Sequence, residues 1–145
     1  MNTITAFTYT HPITVRYSDL DPQGHVNNAA YLSFLESARL GYYQASGIWQ
    51  KSSGFKTGMV VARMEIDYLA PIFLGQPIQV GLRIPHLGTK SMVFDFLIED
   101  TQSGKSLARG KSVMVTYDNA TESSIPIPPD WREKITQFEE QQGKQ

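Results

Sequence analysis

The densest group of chemically useful side chains in the sequence lies between residues 17 and 28. It contains two carboxylates, one imidazole and three amides, at Asp19, Asp21, His25, Gln23, Asn27 and Asn28. Turn formation and helix capping explain part of this composition, because Asp-Pro and Asn-Asn are typical of loops and helix starts. A loop does not need a histidine, however, and two aspartates two residues apart are available for acid–base or nucleophilic chemistry. This segment is therefore the first candidate for an active site.

Other catalytic classes have little support in the sequence. The chain has no cysteine, which excludes disulfides, thiolate nucleophiles and iron–sulfur clusters. It contains neither a Gly-x-Ser-x-Gly nucleophile elbow nor a Gly-x-Gly-x-x-Gly phosphate loop. The three histidines form no His-x-x-x-His pair, so we expect no metal site. A carboxylate remains as the candidate catalyst.

A long helix is predicted directly after the polar segment. Its apolar face consists of residues at helical spacing, namely Tyr31, Phe34, Leu35, Ala38, Tyr42 and Ala45. Three more apolar residues widen this face and predict a mostly buried helix: Leu32, Leu40 and Tyr43. Asn27 or Asn28 suits the helix start, and Gly47 suits its end. The start of such a helix offers unpaired N–H groups to an oxygen that becomes negative, which acyl transfer requires.

The rest of the chain predicts an antiparallel sheet. Apolar and polar residues alternate over four stretches, at 62–69, 78–84, 92–99 and 106–117, and a shorter strand is expected at 13–17. Strands in tandem with short turns favour antiparallel pairing. On the last strand, the small residues Ala108, Gly110 and Ser112 would let the helix approach closely. Residues 119–130 suit an irregular connection, and a short helix is expected over 131–140.

Length and charge favour one domain and exclude some partners. A chain of 145 residues suffices for a single core, so we expect one domain over 1–145. Thirteen basic and 14 acidic residues give a net charge of −1 without a basic cluster, so nucleic acid is not an expected partner. We find neither a signal-peptide pattern nor an apolar stretch long enough to span a membrane. A cytoplasmic protein without a membrane partner is expected.

The polar segment and the helix together carry a recognisable motif. The residues VRYSDLDPQGHVNNAAY at 15–31 and FLESAR at 34–39 resemble the signature of the hotdog-fold acyl-CoA thioesterases, in the 4-hydroxybenzoyl-CoA thioesterase branch. The resemblance continues through EIDYLAP at 65–71, LGTKS at 87–91 and IPIPP at 125–129. It implies an α+β hotdog fold, in which a curved antiparallel sheet wraps a long central helix and a short C-terminal helix follows. It also implies a homodimer or homotetramer with active sites at the subunit interface.

The resemblance further implies roles for single residues. By family analogy, Asp21 is the catalytic carboxylate, either as nucleophile on the thioester carbonyl or as general base for water. The related plant acyl-carrier thioesterases have functional polar residues two and four positions later, which here are Gln23 and His25. His25 matches directly, whereas Gln23 departs from the asparagine found there. The reaction would need no cofactor, because coenzyme A is part of the substrate.

Other polar residues nearby have simpler explanations. Asp19 suits a structural role in which it holds the loop by accepting backbone hydrogen bonds. Glu36 and Arg39 are three residues apart on the helix, a spacing at which they could form an ordinary i, i+3 pair. In some thioesterases a glutamate on this helix supplies the base, so Glu36 is a second candidate.

Substrate-binding residues are harder to identify. The phosphates of coenzyme A call for cations, and Lys90 with Ser91 is the preferred pair because it lies at an exposed turn. Four strand cations are alternatives, namely Arg63, Arg83, Arg109 and Lys111. Val60 and Val61 suit an acyl pocket contributed by the partner subunit, and equally well a core or dimer contact. The small residues Ser52, Ser53, Gly54 and Gly58 suit a mobile lid, and equally a linker.

Two functions of different class fit the sequence. The first is hydrolysis of an acyl-CoA thioester to a carboxylic acid and free coenzyme A. The second is a hotdog module that binds an acyl-CoA or an acyl-carrier protein without turnover. The presence of Asp21 and His25 favours hydrolysis, and the sequence does not identify the acyl group.

Overall fold

The computed structural model describes residues 3–49 and 56–143. Its elements, in chain order, are β1 (Tyr9–Ile13), α1 (Asn28–Ser46), β2 (Thr57–Tyr68), β3 (Ile78–Leu87), β4 (Ser91–Asp100), β5 (Ser106–Asp118), β6 (Ser123–Ser124) and α2 (Pro129–Gly143). Two single 3-10 turns, Ile4–Ala6 and Tyr17–Asp19, flank β1. No helix in these described residues is long and apolar enough to cross a membrane.

The strands form one antiparallel sheet in the order β1-β3-β4-β5-β2, and β6 pairs with the end of β5. As predicted, β3, β4 and β5 follow one another as neighbours. The pairing register shifts between Val61 and Arg63 and between Arg83 and His86, and such irregularities bend a strand and increase its twist. The long helix α1 packs against β1 and β3 of this sheet. The architecture is the hotdog fold expected from the resemblance.

The first strand and several element boundaries differ from the sequence prediction. The strand expected over 13–17 is wrong, because β1 ends at Ile13 and residues 17–19 form a 3-10 turn. The Asp19 carboxylate accepts the backbone N–H of Arg16 at 2.8 Å, which stabilises that turn instead of a strand. β2 begins at Thr57 instead of residue 62, since consecutive apolar residues there hide the alternation. α2 begins at Pro129 instead of residue 131, and proline is favoured in the first helical turn.

Both ends of α1 are set by the residues predicted to set them. The Asn27 side chain accepts the N–H of Ala30 at 2.9 Å, and Gly47 adopts a left-handed conformation with φ of +88°. The predicted apolar face is buried except at Ala45, which is exposed near the end of the helix. Two residues expected to widen the face are not buried either: Leu32 is 44% and Leu40 is 38% exposed. α1 therefore presents apolar surface outside the core of its own chain.

The C-terminal helix α2 is joined to the core through Tyr42. The Tyr42 ring is fully buried and meets the rings of Phe94 and Phe138 edge to face at centroid distances of 5.1 and 5.0 Å. The Tyr42 hydroxyl donates a hydrogen bond to Oε2 of Glu139 on α2. Oε1 of the same carboxyl accepts from Thr8 Oγ1 at 2.8 Å. Burial raises the pKa of Glu139, partly offset by these hydrogen bonds.

Glu139→Gln should change how stability depends on pH. A raised pKa means that the folded state binds this proton more tightly than the unfolded chain does. The wild type should therefore lose stability as the pH rises from the ordinary glutamate value of about 4.3 through the native pKa of Glu139. Glutamine does not titrate, so the free energy of unfolding of the variant should rise relative to that of the wild type over this range. Urea unfolding at a series of pH values measures the difference.

The exposed neighbour Glu140 provides the matched control. Glu140→Gln makes the same substitution at an exposed position, so it controls for the loss of one carboxyl outside the core. A difference between Glu139→Gln and the wild type that stays constant with pH would contradict the assignment.

Candidate active site

The polar segment identified in the sequence folds into a tight turn immediately before α1. The Asp21 N–H donates to the carbonyl oxygen of His25 at 2.7 Å, and the Gly24 N–H donates to the carbonyl oxygen of Asp21 at 3.0 Å. Gly24 has a φ of +84°, a conformation that favours glycine, and no other atom would crowd a Cβ there. Leu20 and Val26 form a β-bridge across the base of the turn. The turn therefore fixes the backbone on both sides of Asp21.

The Asp21 carboxylate is oriented through one of its two oxygens. Oδ1 accepts the backbone N–H groups of Gln23 at 2.8 Å and of His25 at 3.2 Å. No hydrogen bond from residues 3–49 or 56–143 reaches Oδ2. The carboxyl is partly exposed. One oxygen is thus used to hold the side chain, and the other is available to a substrate or to water.

Asp19 has the structural role predicted for it. Its carboxylate is buried, accepts the Arg16 N–H at 2.8 Å and forms an ion pair with the Arg16 guanidinium at 3.0 Å. The hydrogen bond from the Arg16 side chain holds the pKa of Asp19 below its ordinary value. The carbonyl oxygen of Asp19 accepts from both the backbone N–H and the side-chain amide of Asn27, each at 2.8 Å. Asp19 thus ties the turn to the start of α1.

The first turn of α1 leaves donors for a ligand. Asn27 satisfies the N–H of Ala30, whereas no acceptor in the described part of the chain binds the N–H groups of Asn28 and Ala29. Both residues are exposed. Unpaired N–H groups at a helix start stabilise negative charge on an oxygen. These two donors lie at the point where the Asp21 turn enters the helix.

Gln23 and His25 differ in their surroundings. The Gln23 side chain is exposed, and its contribution to the turn comes from its backbone N–H. The His25 imidazole is half-buried and packs edge to face against the ring of Phe73, with a centroid distance of 5.1 Å. Sequence reasoning missed Phe73, because a pairing between segments so far apart leaves no local pattern.

An open cavity of about 650 Å³ lies between α1 and the start of β2. Val60 and Val61 line it and are 43% and 49% exposed. They were predicted to line an acyl pocket of the partner subunit or to form core or dimer contacts, whereas this cavity is formed by their own chain. Ser33 and Tyr43 mark its limits on α1. They lie about 8 and 23 Å from the helix start, given a rise of 1.5 Å per residue. The cavity therefore begins near the Asp21 end of α1 and continues toward the other end.

The predicted ion pair between Glu36 and Arg39 is wrong. Both residues line the cavity, but Glu36 is exposed and Arg39 is buried, and no ion pair joins them within the described residues. Instead Arg39 lies next to the buried hydroxyl of Tyr43. Burial raises the pKa of that hydroxyl, and the neighbouring guanidinium partly offsets the rise. Packing of the helix against the sheet buries Arg39 and leaves Glu36 exposed, so the two side chains do not form the pair that their spacing suggested.

Lys90 and Ser91 lie far from Asp21 in the same chain. Lys90 lies in the turn between β3 and β4, and Ser91 is the first residue of β4. The opposite ends of these strands adjoin the Asp21 turn. The ten residues of β3 correspond to about 30 Å at 3.3 Å per residue. The Lys90 ammonium donates to Ser124 Oγ at 3.4 Å. One chain does not bring Lys90 to Asp21.

The alternative cations are paired with carboxylates on the sheet. The ion pairs are Arg63–Glu65, Arg83–Asp95, Lys111–Asp95 and Arg109–Asp67. Of the small residues expected to form a lid, Gly58 lies in β2, and Ser52, Ser53 and Gly54 lie outside the described residues. Among residues 3–49 and 56–143, no group of three or more His, Asp or Glu side chains could hold a metal ion.

Comparisons with known proteins agree with this architecture. The family model described as the Thioesterase-like superfamily matches residues 15–135. The long-chain acyl-CoA thioesterase FadM of Escherichia coli K12 is 30% identical over 126 residues, which cover 87% of this chain and 96% of FadM. A thioesterase from Thermus thermophilus, solved with coenzyme A and zinc, is 39% identical with a TM-score of 0.80, and the match covers 93% of this chain and 97% of that one.

A second solved structure, PA2801 from Pseudomonas aeruginosa, is described as a putative thioesterase. It is 32% identical, with a TM-score of 0.78, over 89% of this chain and 98% of that chain. The family match covers most of the chain and includes both the Asp21 turn and α1. The chain belongs to the Thioesterase-like superfamily.

Proposed function

We propose that this protein hydrolyses acyl-CoA thioesters to a carboxylic acid and free coenzyme A, with Asp21 as the catalytic carboxylate. The observation that carries the proposal is the state of this carboxylate: Oδ1 is held by two backbone N–H groups, and Oδ2 receives no hydrogen bond from the described residues. Relatives support the substrate class, since FadM is named a long-chain acyl-CoA thioesterase and the Thermus enzyme was solved with coenzyme A.

The start of α1 would polarise the thioester. A carbonyl oxygen placed against the N–H groups of Asn28 and Ala29 would become negative as the tetrahedral intermediate forms, and these donors would stabilise that charge. Because they are fixed by the helix, they need not reorganise during the reaction. Thiolate leaves when the carbonyl re-forms and then takes up a proton.

Asp21 could act in either of two ways. As general base, Oδ2 removes a proton from water while the water oxygen attacks the carbonyl carbon. As nucleophile, Oδ2 attacks the carbonyl carbon itself and forms a mixed anhydride, which water then hydrolyses. His25 and Gln23 would orient the water or the thioester in both routes, Gln23 through its exposed amide.

The cavity beside α1 would receive the acyl chain. Met59, Val60, Val61 and Met114 provide an apolar wall, and the cavity extends along α1 away from the Asp21 turn. A cavity with one apolar wall suits an aliphatic chain.

A second copy of the chain would complete the site. β2 is an edge strand of 12 residues, and long exposed edges of this kind are protected in stable proteins by pairing or covering. Apolar side chains are exposed along this edge and just beyond it, at Val60, Val61, Tyr68 and Leu69. A homodimer formed through β2 would cover both features.

The alternative function is an acyl-CoA-binding hotdog module without turnover. The same cavity would serve it, whereas the unbonded oxygen of Asp21 favours the enzyme. Thiol release from a panel of acyl-CoA substrates distinguishes the two, because a module would show saturable binding without release.

Asp21→Asn should reduce kcat at least about a hundredfold, the loss expected when general base catalysis is removed. Asparagine retains an acceptor oxygen for the N–H groups of Gln23 and His25, so the turn should stay folded. Thiol-release kinetics measure the loss, and circular dichroism checks the fold. Glu36→Gln is the matched control, since it neutralises the second candidate carboxylate, and it should retain most activity. The opposite ranking of the two variants would make Glu36 the base.

Val61→Trp should narrow the cavity and change the preference for acyl length. We expect kcat/KM for a long-chain acyl-CoA to fall at least about tenfold, corresponding to about 1.4 kcal/mol of lost apolar contact. An acetyl-CoA substrate measured with the same variant is the internal control, because it is too short to reach Val61. Equal losses for both substrates would place the acyl chain elsewhere.

Leu69→Lys should weaken the proposed dimer. Sedimentation of the wild type should give at least twice the mass of one chain, and a charge buried at the interface should shift the variant toward the monomer and reduce activity with it. Thr136→Lys, on an exposed position of α2, is the control and should behave like the wild type. A fully active wild-type monomer would contradict the shared site.

A further inference from the structure

We propose that Phe73 is a positioning residue that fixes the imidazole of His25 for the reaction. The proposal rests on the role proposed above for His25. Phe73 belongs to the segment that links β2 to β3, and it contacts the Asp21 turn at His25.

The backbone holds this contact in register. His25 and Phe73 form an antiparallel β-bridge, and the Val26 N–H donates to the carbonyl oxygen of Ile72 at 2.8 Å. Ile72 is fully buried, so it anchors the linking segment in the core. The backbone positions of the two rings are therefore fixed relative to each other.

The imidazole has few other restraints. No hydrogen bond from the residues that the structure describes reaches either ring nitrogen of His25. The Phe73 ring lies at a centroid distance of 5.1 Å with an interplanar angle of 87°, a favourable edge-to-face arrangement. Because no hydrogen bond within the described residues sets the rotamer, we assign the orientation of the imidazole to this aromatic contact.

Phe73 is itself held in place by hydrogen bonds that lead to the end of β4. The Phe73 N–H donates to Gln76 Oε1 at 3.0 Å, and the Gln76 amide donates to Asp100 Oδ2 at 2.9 Å. Asp100 ends β4, and its other oxygen accepts two backbone N–H groups of the following turn. A continuous set of contacts thus runs from the β4–β5 hairpin through Gln76 and Phe73 to His25.

Truncation of the ring tests the proposal through kinetics. Phe73→Ala should lower kcat about 2- to 12-fold, which corresponds to the energy of one aromatic pair. Leu74→Ala is the matched control, because Leu74 is the next residue and is exposed to a similar extent, 51% against 48%. Phe73→Tyr keeps the ring and should retain wild-type activity.

The double variant tests whether Phe73 acts through His25. In a His25→Ala background, Phe73→Ala should not lower kcat further, because the imidazole that it would position is already absent. An equal loss with and without His25 would overturn the proposal.

Nuclear magnetic resonance of the imidazole provides a readout that does not depend on turnover. Three-bond couplings to the β-protons of His25 report the χ1 rotamer that orients the imidazole. They should show one rotamer in the wild type and in Leu74→Ala, and averaging over several rotamers in Phe73→Ala. Unchanged His25 signals in Phe73→Ala would overturn the positioning role. Full activity of His25→Ala would instead overturn the role proposed for His25. It would also overturn the positioning role of Phe73, even if the spectra prove the contact between the two rings.

Discussion

Asn27 is the residue on which the candidate site and the central helix depend together. Its side-chain oxygen accepts the N–H of Ala30, which fixes where α1 begins. Its side-chain and backbone nitrogens both donate to the carbonyl oxygen of Asp19, which fixes the entry to the Asp21 turn. A single residue, through its side chain and its backbone, therefore sets the position of the turn relative to the unpaired N–H groups of the helix. The proposed chemistry needs this relation.

The Asp21 turn is held on its other side by the segment between β2 and β3. Val26 and His25 pair with Ile72 and Phe73, so the turn lies between the capped helix and a segment anchored in the core. Sites positioned by rigid elements keep their geometry better than sites on unsupported loops. The same arrangement explains why the two oxygens of the Asp21 carboxyl differ in their hydrogen bonds. It fixes the backbone so that the N–H groups of Gln23 and His25 both donate to Oδ1.

Local patterns predicted much of this structure, and non-local contacts account for what they missed. Helical spacing identified α1, and alternation identified β3, β4 and β5. Residue type predicted the caps of α1, Asn27 or Asn28 at its start and Gly47 at its end. Turn chemistry predicted the role of Asp19. Gly110 shows the limit of these local patterns: its small size suggested room for the helix, yet a Cβ there would collide with the Glu65 backbone of the neighbouring strand.

The site contacts that sequence reasoning missed also arise from non-local packing. Spacing alone paired Glu36 with Arg39, but packing buries one and exposes the other. Phe73 carries no local signal, because its relation to His25 arises from a bridge between two segments that the fold brings together.

The distance between Asp21 and Lys90 has a consequence for the proposed assembly. Ser91 and Val60 both pair with Val115, so the β3–β4 turn and the start of β2 lie at the same end of the sheet. The Asp21 turn lies at the other end, where the Tyr68 hydroxyl donates to the carbonyl oxygen of Asn28 at 3.4 Å. If two β2 edges paired antiparallel about a twofold axis, the Lys90 end of one chain would adjoin the Asp21 end of the other. Since the alternative strand cations are engaged in ion pairs, this arrangement would bring an available ammonium toward the coenzyme A phosphates, and it would do so at both sites by symmetry.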